Sequence, residues 1–289
     1  MAESRNIEPA QQLTGKVAVV TGATGGLGAR AAQVLAHHGA RVLLAGRQQG
    51  RGDALAAQIG PSARFRRTDV TQESQVRDLI AEAVDRFGRL DCLVNNAGDG
   101  GTLGPVEQLD LERFRRTLDV HVLGMAAGIK YAAGPMAAQG SGSIINVASV
   151  AGFIAGWSPL DYSVAKAGVL HLTRCAAIEL GERGVRTNSI SPGPIPTGIQ
   201  LRSTGADRDT AERAAPALKS LFAAGLRSWQ PMRRVGEPDD VAAAILWLAS
   251  DASSFVNGQD LAIDGGLCAG RPASVSAATY AELAKLTHS

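Results

Sequence analysis

The chain has 289 residues, 45% hydrophobic and 19% charged, enough apolar material for one large α/β domain or two small ones. Its formal charge is +2 with the basic residues scattered, which offers no electrostatic basis for a nucleic-acid or anionic-membrane partner, and its 34 glycines follow no collagen-like period. Three cysteines, Cys92, Cys175 and Cys268, are far apart and lack CxxC spacing, so they indicate neither a disulfide framework nor a structural zinc site.

The N-terminal segment MAESRNIEPAQQLTGK is polar and has no apolar run, so no secretory signal is expected. No stretch of the chain reaches the roughly 20 apolar residues needed to span a bilayer. A soluble, cytoplasmic protein is expected, with 1–12 as a flexible extension. Beyond it, short β-branched runs alternate with alanine-rich helical patterns. Strands are predicted at 17–21, 41–45, 64–67, 92–95, 143–148, 186–190 and 260–263. Helices are predicted at 29–39, 73–87, 111–137, 162–183 and 238–250. Strands joined by long helices imply right-handed crossovers and a parallel sheet, here as one domain over 13–266. Segment 194–231 is long and rich in Gly, Pro and charge, with a weak helical pattern at 211–226, and reads as a substrate-binding lid. The tail, 267–289, follows the last strand and is expected to be ordered only by packing on a partner subunit.

The run TGATGGLG at 21–28 follows the first strand and opens the first helix. Gly22, Gly26 and Gly28 leave room for a cofactor phosphate, with Thr24 and Leu27 beside it, and the helix N-terminus offers N–H groups and a positive dipole end. The second strand ends Ala45, Gly46, Arg47, with no carboxylate to accept from the ribose hydroxyls. Arg47 suits a 2′-phosphate and points to NADP, with NAD as the alternative if Arg47 is only a solvated surface residue. Tyr162 and Lys166 lie four apart, on one face of a helix, where an ammonium can lower the pKa of the phenol toward a working range. Ser149, thirteen residues before Tyr162 and just past a strand, can hydrogen-bond a reacting oxygen.

From about Leu13 to Gly266 these motifs resemble the short-chain dehydrogenase/reductase family. TGATGGLG is similar to its TGxxxGxG turn. Asp69 and Val70 resemble its adenine contact, and Asn95, Asn96, Ala97 and Gly98 its NNAG segment. Pro192 and Gly193, with Ile195 and Thr197, resemble the loop that binds the nicotinamide carboxamide and pyrophosphate, and Asp264, Gly265 and Gly266 its closing strand. The resemblance implies a Rossmann-like, doubly wound parallel sheet with helices on both faces. It also implies hydride transfer at a carbon bearing oxygen, with Tyr162 exchanging the proton, Lys166 lowering its pKa and holding the nicotinamide ribose, and Ser149 orienting the substrate.

One position departs from the family pattern, because His121 stands where an Asn helps to hold a water linked to the Lys. His121 is expected either to serve a proton relay or to fill the space as a structural residue. It has no metal-ligand spacing with His37, His38, His171 or His288, so no metal is expected. Ala151, Phe153 and Trp157, beside the catalytic residues, are the expected substrate contacts, in an apolar pocket to which Ile154 and Leu160 and, from the lid, Leu201, Leu218, Leu221, Phe222 and Trp229 are expected to contribute. They suit a bulky hydrophobic secondary alcohol or ketone, alicyclic, aromatic or steroid-like. A 3-oxoacyl thioester is the alternative substrate, and a non-catalytic cofactor-binding scaffold the alternative function. The family resemblance implies a homodimer or homotetramer.

Overall fold

The apolar runs form strands because both of their faces are covered; β1 (Val17–Thr21) and β4 (Cys92–Asn95) are buried at every position. The computed structural model describes residues 12–286. With β2 (Arg41–Gly46), β3 (Ala63–Arg67), β5 (Gly142–Val147), β6 (Val185–Pro192) and β7 (Asp260–Ile263), these strands make one parallel sheet in the order β3-β2-β1-β4-β5-β6-β7. Eleven helices accompany it among the described residues. Those inserted before the last strand are α1 (Gly26–His37), α2 (Gln49–Ile59), α3 (Glu73–Phe87), α4 (Leu111–Leu118), α5 (Gly124–Gln139), α6 (Leu160–Gly181), α7 (Ile199–Arg202), α8 (Arg208–Arg213), α9 (Ala215–Trp229) and α10 (Pro238–Ala249). The last, α11 (Ala273–Leu286), follows β7.

The period of two along each strand divides the core. Ala18, Val20, Val42, Leu44 and Val94 face α1 and α10, where Ala32, Leu35, Val241 and Ile245 cover them. Val19, Leu43, Leu93 and Ile144 face the other way, under Leu79 of α3, Ile129 of α5 and Leu180 of α6. Helices therefore cover both faces, and the strand order reverses between β1 and β4. That reversal opens a crevice at the carboxyl ends of the strands, the usual ligand position in such sheets. Among the described residues no helix is long and apolar enough to cross a membrane.

Several elements differ from the sequence expectation. The first helix begins at Gly26 rather than 29, because the glycine turn itself supplies the first helical turn. No helix is predicted from the sequence over α2, where Gly50 and Gly52 dilute the helical signal. Packing explains the second glycine, because a Cβ on Gly52 would lie 2.1 Å from a ring carbon of Phe65. The long helix expected at 111–137 is α4 and α5 joined by a wide turn over Asp119–Leu123, in which the Gly124 N–H reaches back to the Asp119 carbonyl. Segment 194–231 holds α7, α8 and α9, and α9 turns Leu218, Phe222 and Leu226 inward. The tail contains α11, whose Tyr280, Leu283 and Leu286 are exposed. Of the N-terminal extension expected at 1–12, residues 1–11 lie outside the described residues.

Candidate active site

The ends of β1 and β4 are stitched together by Thr21. Its hydroxyl donates to the Val94 carbonyl at 3.3 Å and accepts from the N–H groups of Asn96 (2.9 Å) and Ala97 (3.1 Å). Asn95 is buried and donates to Asn146 Oδ1 at 2.9 Å, which ties β4 to β5. At Gly22 the chain turns with φ +66°, and a Cβ there would lie 2.8 Å from the Ala97 Cα, so only glycine lets the two strand ends approach this closely. The α1 N-terminus follows with Gly25 as its cap, a residue that has no side chain to bond the helix's first N–H groups. Unsatisfied N–H groups at the positive end of a helix dipole form a seat for an anion such as a dinucleotide pyrophosphate.

Above this seat lies a cavity of about 750 Å³. Gly22, Thr24, Gly26 and Leu27 of the glycine turn line it, as do Arg47 after β2 and Asp69 and Val70 after β3. Asn96, Ala97 and Gly98 line it from the end of β4, and Pro192, Gly193, Ile195 and Thr197 from the end of β6. Gly28 is not on the wall: it is enclosed in the first turn of α1, where a Cβ would lie 2.4 Å from Asn96 Nδ2. The helix N-terminus, the glycine cradle and a cavity spanning six strand ends fit a nicotinamide dinucleotide.

The same cavity contains the Ser149, Tyr162 and Lys166 side chains. Ser149 follows β5 and starts a short 3-10 turn, its Oγ accepting from the Ala151 N–H at 3.2 Å. Its hydroxyl also lies near enough to the Tyr162 phenol to lower that group's pKa. Asp161, buried in the first turn of α6, accepts from the Tyr162 N–H at 2.8 Å, Thr102 N–H at 3.1 Å and Thr117 Oγ1 at 2.8 Å. These bonds fix the start of α6 against α4 and the loop after β4. One helical turn later, the Lys166 ammonium donates to the Val147 carbonyl at 2.6 Å and lies 5.4 Å from the centre of the Tyr162 ring.

Burial dominates the titration of this pair. It pushes the Tyr162 phenol up to about 12, opposed by the nearby Ser149 hydroxyl, and drives Lys166 from its ordinary 10.5 down to about 7. The lowering of the phenol pKa expected from its lysine neighbour is not what this chain imposes on its own. Tyr162 is held as a proton donor, and Lys166 is poised to gain or lose a proton near neutrality.

His121, from the wide turn between α4 and α5, is fully buried with its ring edge-on to Tyr162, centroids 5.2 Å apart at 83°. Burial, helped by repulsion from Lys166, holds its pKa below the ordinary value. Gly98 makes room for it, since a Cβ there would lie 2.5 Å from His121 Cε1.

Of the three expected substrate contacts, only Trp157 lines the cavity. The 3-10 turn at Val150–Gly152 tucks Ala151 into the interior at 4% exposure and leaves Phe153 off the cavity wall, 46% exposed. Opposite Trp157 stand Phe222 and Trp229 of α9, with Trp157 and Trp229 in edge contact at 5.6 Å and Phe222 6.0 Å from Trp229. Sequence reasoning missed Asp99, Leu103 and Arg202, which also line the cavity. They sit on irregular segments or a four-residue helix, where no periodicity marks them; only the adjacency of Asp99 to NNAG was a signal.

A family model described as "Enoyl-(Acyl carrier protein) reductase" matches residues 22–268. The chain is 40% identical over 256 residues to a cis-4-hydroxycyclohexanecarboxylate dehydrogenase of Sinomonas cyclohexanicum, covering 88% of this chain and 97% of that one. Among solved structures, levodione reductase matches with a TM-score of 0.80 and 32% identity, over 89% of this chain and 99% of that one. A short-chain type dehydrogenase/reductase from Mycobacterium marinum matches with a TM-score of 0.77 and 34% identity, over 89% of this chain and 96% of that one.

Proposed function

The chain belongs to the short-chain dehydrogenase/reductase family and is a nicotinamide-dependent oxidoreductase; from that premise we propose that it interconverts a bulky alicyclic secondary alcohol and its ketone, with NADP as the preferred cofactor. The observation that carries the reading is one continuous cavity: it runs from the glycine turn past Ser149, Tyr162 and Lys166 to a wall of Leu103, Trp157, Phe222 and Trp229. Apolar and aromatic walls with few convergent polar groups suit a ring-bearing substrate. Two similar proteins point the same way, one named for a hydroxycyclohexanecarboxylate and one for levodione. NADP is favoured by Arg47 and by the absence of a carboxylate at the end of β2.

In this reading the glycine turn and the α1 N-terminus hold the cofactor pyrophosphate, and Lys166 holds the nicotinamide ribose. The bound nicotinamide supplies or accepts the hydride. Ser149 hydrogen-bonds the substrate oxygen and fixes it beside the phenol. Tyr162, protonated at neutral pH, gives its proton to a carbonyl oxygen in reduction and takes it from the hydroxyl in oxidation. Segment 194–231 acts as the lid, with α9 bringing Phe222 and Trp229 over the substrate, and 13–266 forms one domain. Three free thiols suit a reducing cytoplasm. Exposed Val164 and Ile178 on α6 suit assembly into a dimer or tetramer.

The test is a panel of cyclohexanols, cyclohexanones, linear alcohols and a 3-oxoacyl thioester, followed at the nicotinamide absorbance with NADP(H) and NAD(H) in parallel. Faster turnover of the alicyclic compounds with NADP(H) is expected. A preference for the thioester or for NAD(H) overturns that part of the reading, and cofactor binding without turnover of any compound favours a scaffold.

A further inference from the structure

Asp99 follows the NNAG segment and lines the cavity, its side chain one-third exposed. Three of its groups converge on one atom of His121. The Asp99 N–H and carbonyl oxygen each lie 3.2 Å from His121 Nε2, and the carboxylate Oδ1 lies 3.5 Å from it. The opposite ring nitrogen, Nδ1, is buried without a partner, so Asp99 provides the polar anchorage of this imidazole. The carboxylate is itself oriented by the Gly101 N–H, which donates to Oδ1 at 3.2 Å. Gly98 confines the ring from below, and its edge bears on Tyr162.

We infer that Asp99 is a positioning residue of the reaction: it clamps His121 against Tyr162, and its carboxylate is the negative charge that sets the pH range in which Tyr162 and Lys166 exchange the proton. The inference rests on Tyr162 being the proton-transfer group. The other charged groups around the imidazole are Lys166, on the α6 face that also carries Tyr162, Asp161 of the same helix, which meets this loop at Thr102, and Arg202 of α7, which bonds the Gly98 carbonyl at 3.2 Å. Lys166 is cationic or neutral, Arg202 is cationic, and the Asp161 carboxylate is bound by three neutral donors at the start of α6; Asp99 is the carboxylate whose charge acts on both Tyr162 and Lys166. Its field acts in one direction on all three groups, raising the pKa of His121, Lys166 and Tyr162.

Asp99→Asn keeps the shape and the acceptor for Gly101 but removes the charge, and Asp99→Glu keeps the charge. The Lys166 titration is followed in cofactor-free protein by NMR of 13Cε-labelled lysine, its signal identified by loss in Lys166→Met. The midpoint is expected to fall by roughly half to one pH unit in Asp99→Asn and to stay near wild type in Asp99→Glu. The acidic limb of kcat for alcohol oxidation should move the same way, with KM unchanged within about twofold. A midpoint unmoved in Asp99→Asn, or moved as far in Asp99→Glu, overturns the inference. Turnover surviving in Tyr162→Phe instead overturns the proton-transfer reading on which it rests, and the two failures are separable because the titration needs no turnover.

Discussion

At the scale of single residues, the site combines a phenol and an amine whose pKa values burial drives toward their neutral forms. Removing the phenolic hydroxyl removes the proton donor while leaving the glycine turn untouched. Tyr162→Phe is therefore expected to lower kcat by roughly 10³-fold with cofactor affinity kept within about threefold, measured by steady-state kinetics and fluorescence titration. Lys166 also links stability to pH. Its folded value of about 7 lies below the ordinary 10.5, so between these values the unfolded chain holds a proton that the folded chain has shed. Stability then rises with pH across that window and is lost as pH falls through it. Thermal unfolding without added cofactor should show wild type gaining on Lys166→Met from pH 7 to pH 9; parallel curves would contradict the assignment.

At the scale of elements, the aromatic bridge between Trp157, in the loop before α6, and Trp229, at the end of α9, joins the catalytic floor to the lid. An edge-to-face pair contributes about 0.5–1.5 kcal/mol beyond its buried area. Trp229→Ala should raise the substrate KM by roughly two- to tenfold with the cofactor affinity unchanged, since the glycine turn is remote in the chain and independently packed. Equal losses in cofactor and substrate binding would show instead that α9 supports the whole cavity. The elements also differ in how far they could be read beforehand. β1, β2 and β4 announced themselves because strands buried on both faces are continuous apolar runs. Helix α2 did not, because its Gly52 is dictated by the Phe65 ring from another element. The wide turn carrying His121 was hidden for a different reason, since a one-residue widening leaves the apolar pattern of the helix almost unchanged.

At the scale of the whole molecule, seven parallel strands deliver residues from six strand ends, β1 to β6, into one crevice, so cofactor and substrate share one cavity. Ile178 is 81% exposed on α6. Light scattering should give a dimer or tetramer for wild type and a smaller species for Ile178→Glu, with the far-UV spectrum unchanged. A wild-type monomer, or an assembly indifferent to this substitution, would rule out the α6 face as the contact.

The sequence alone determined the parallel α/β architecture, the glycine turn and the Ser149, Tyr162 and Lys166 spacing. Each is a local signal, carried by apolar runs, neighbouring residues or a one-turn separation on a helix. Tertiary structure decided the rest. It placed Asp99 against His121, moved Ala151 and Phe153 off the cavity wall, brought Trp229 to Trp157 and shifted the Tyr162 and Lys166 pKa values in the directions burial requires. Those outcomes depend on which distant groups share a desolvated volume. That is set by packing summed over the fold and not by any residue's neighbours in the chain.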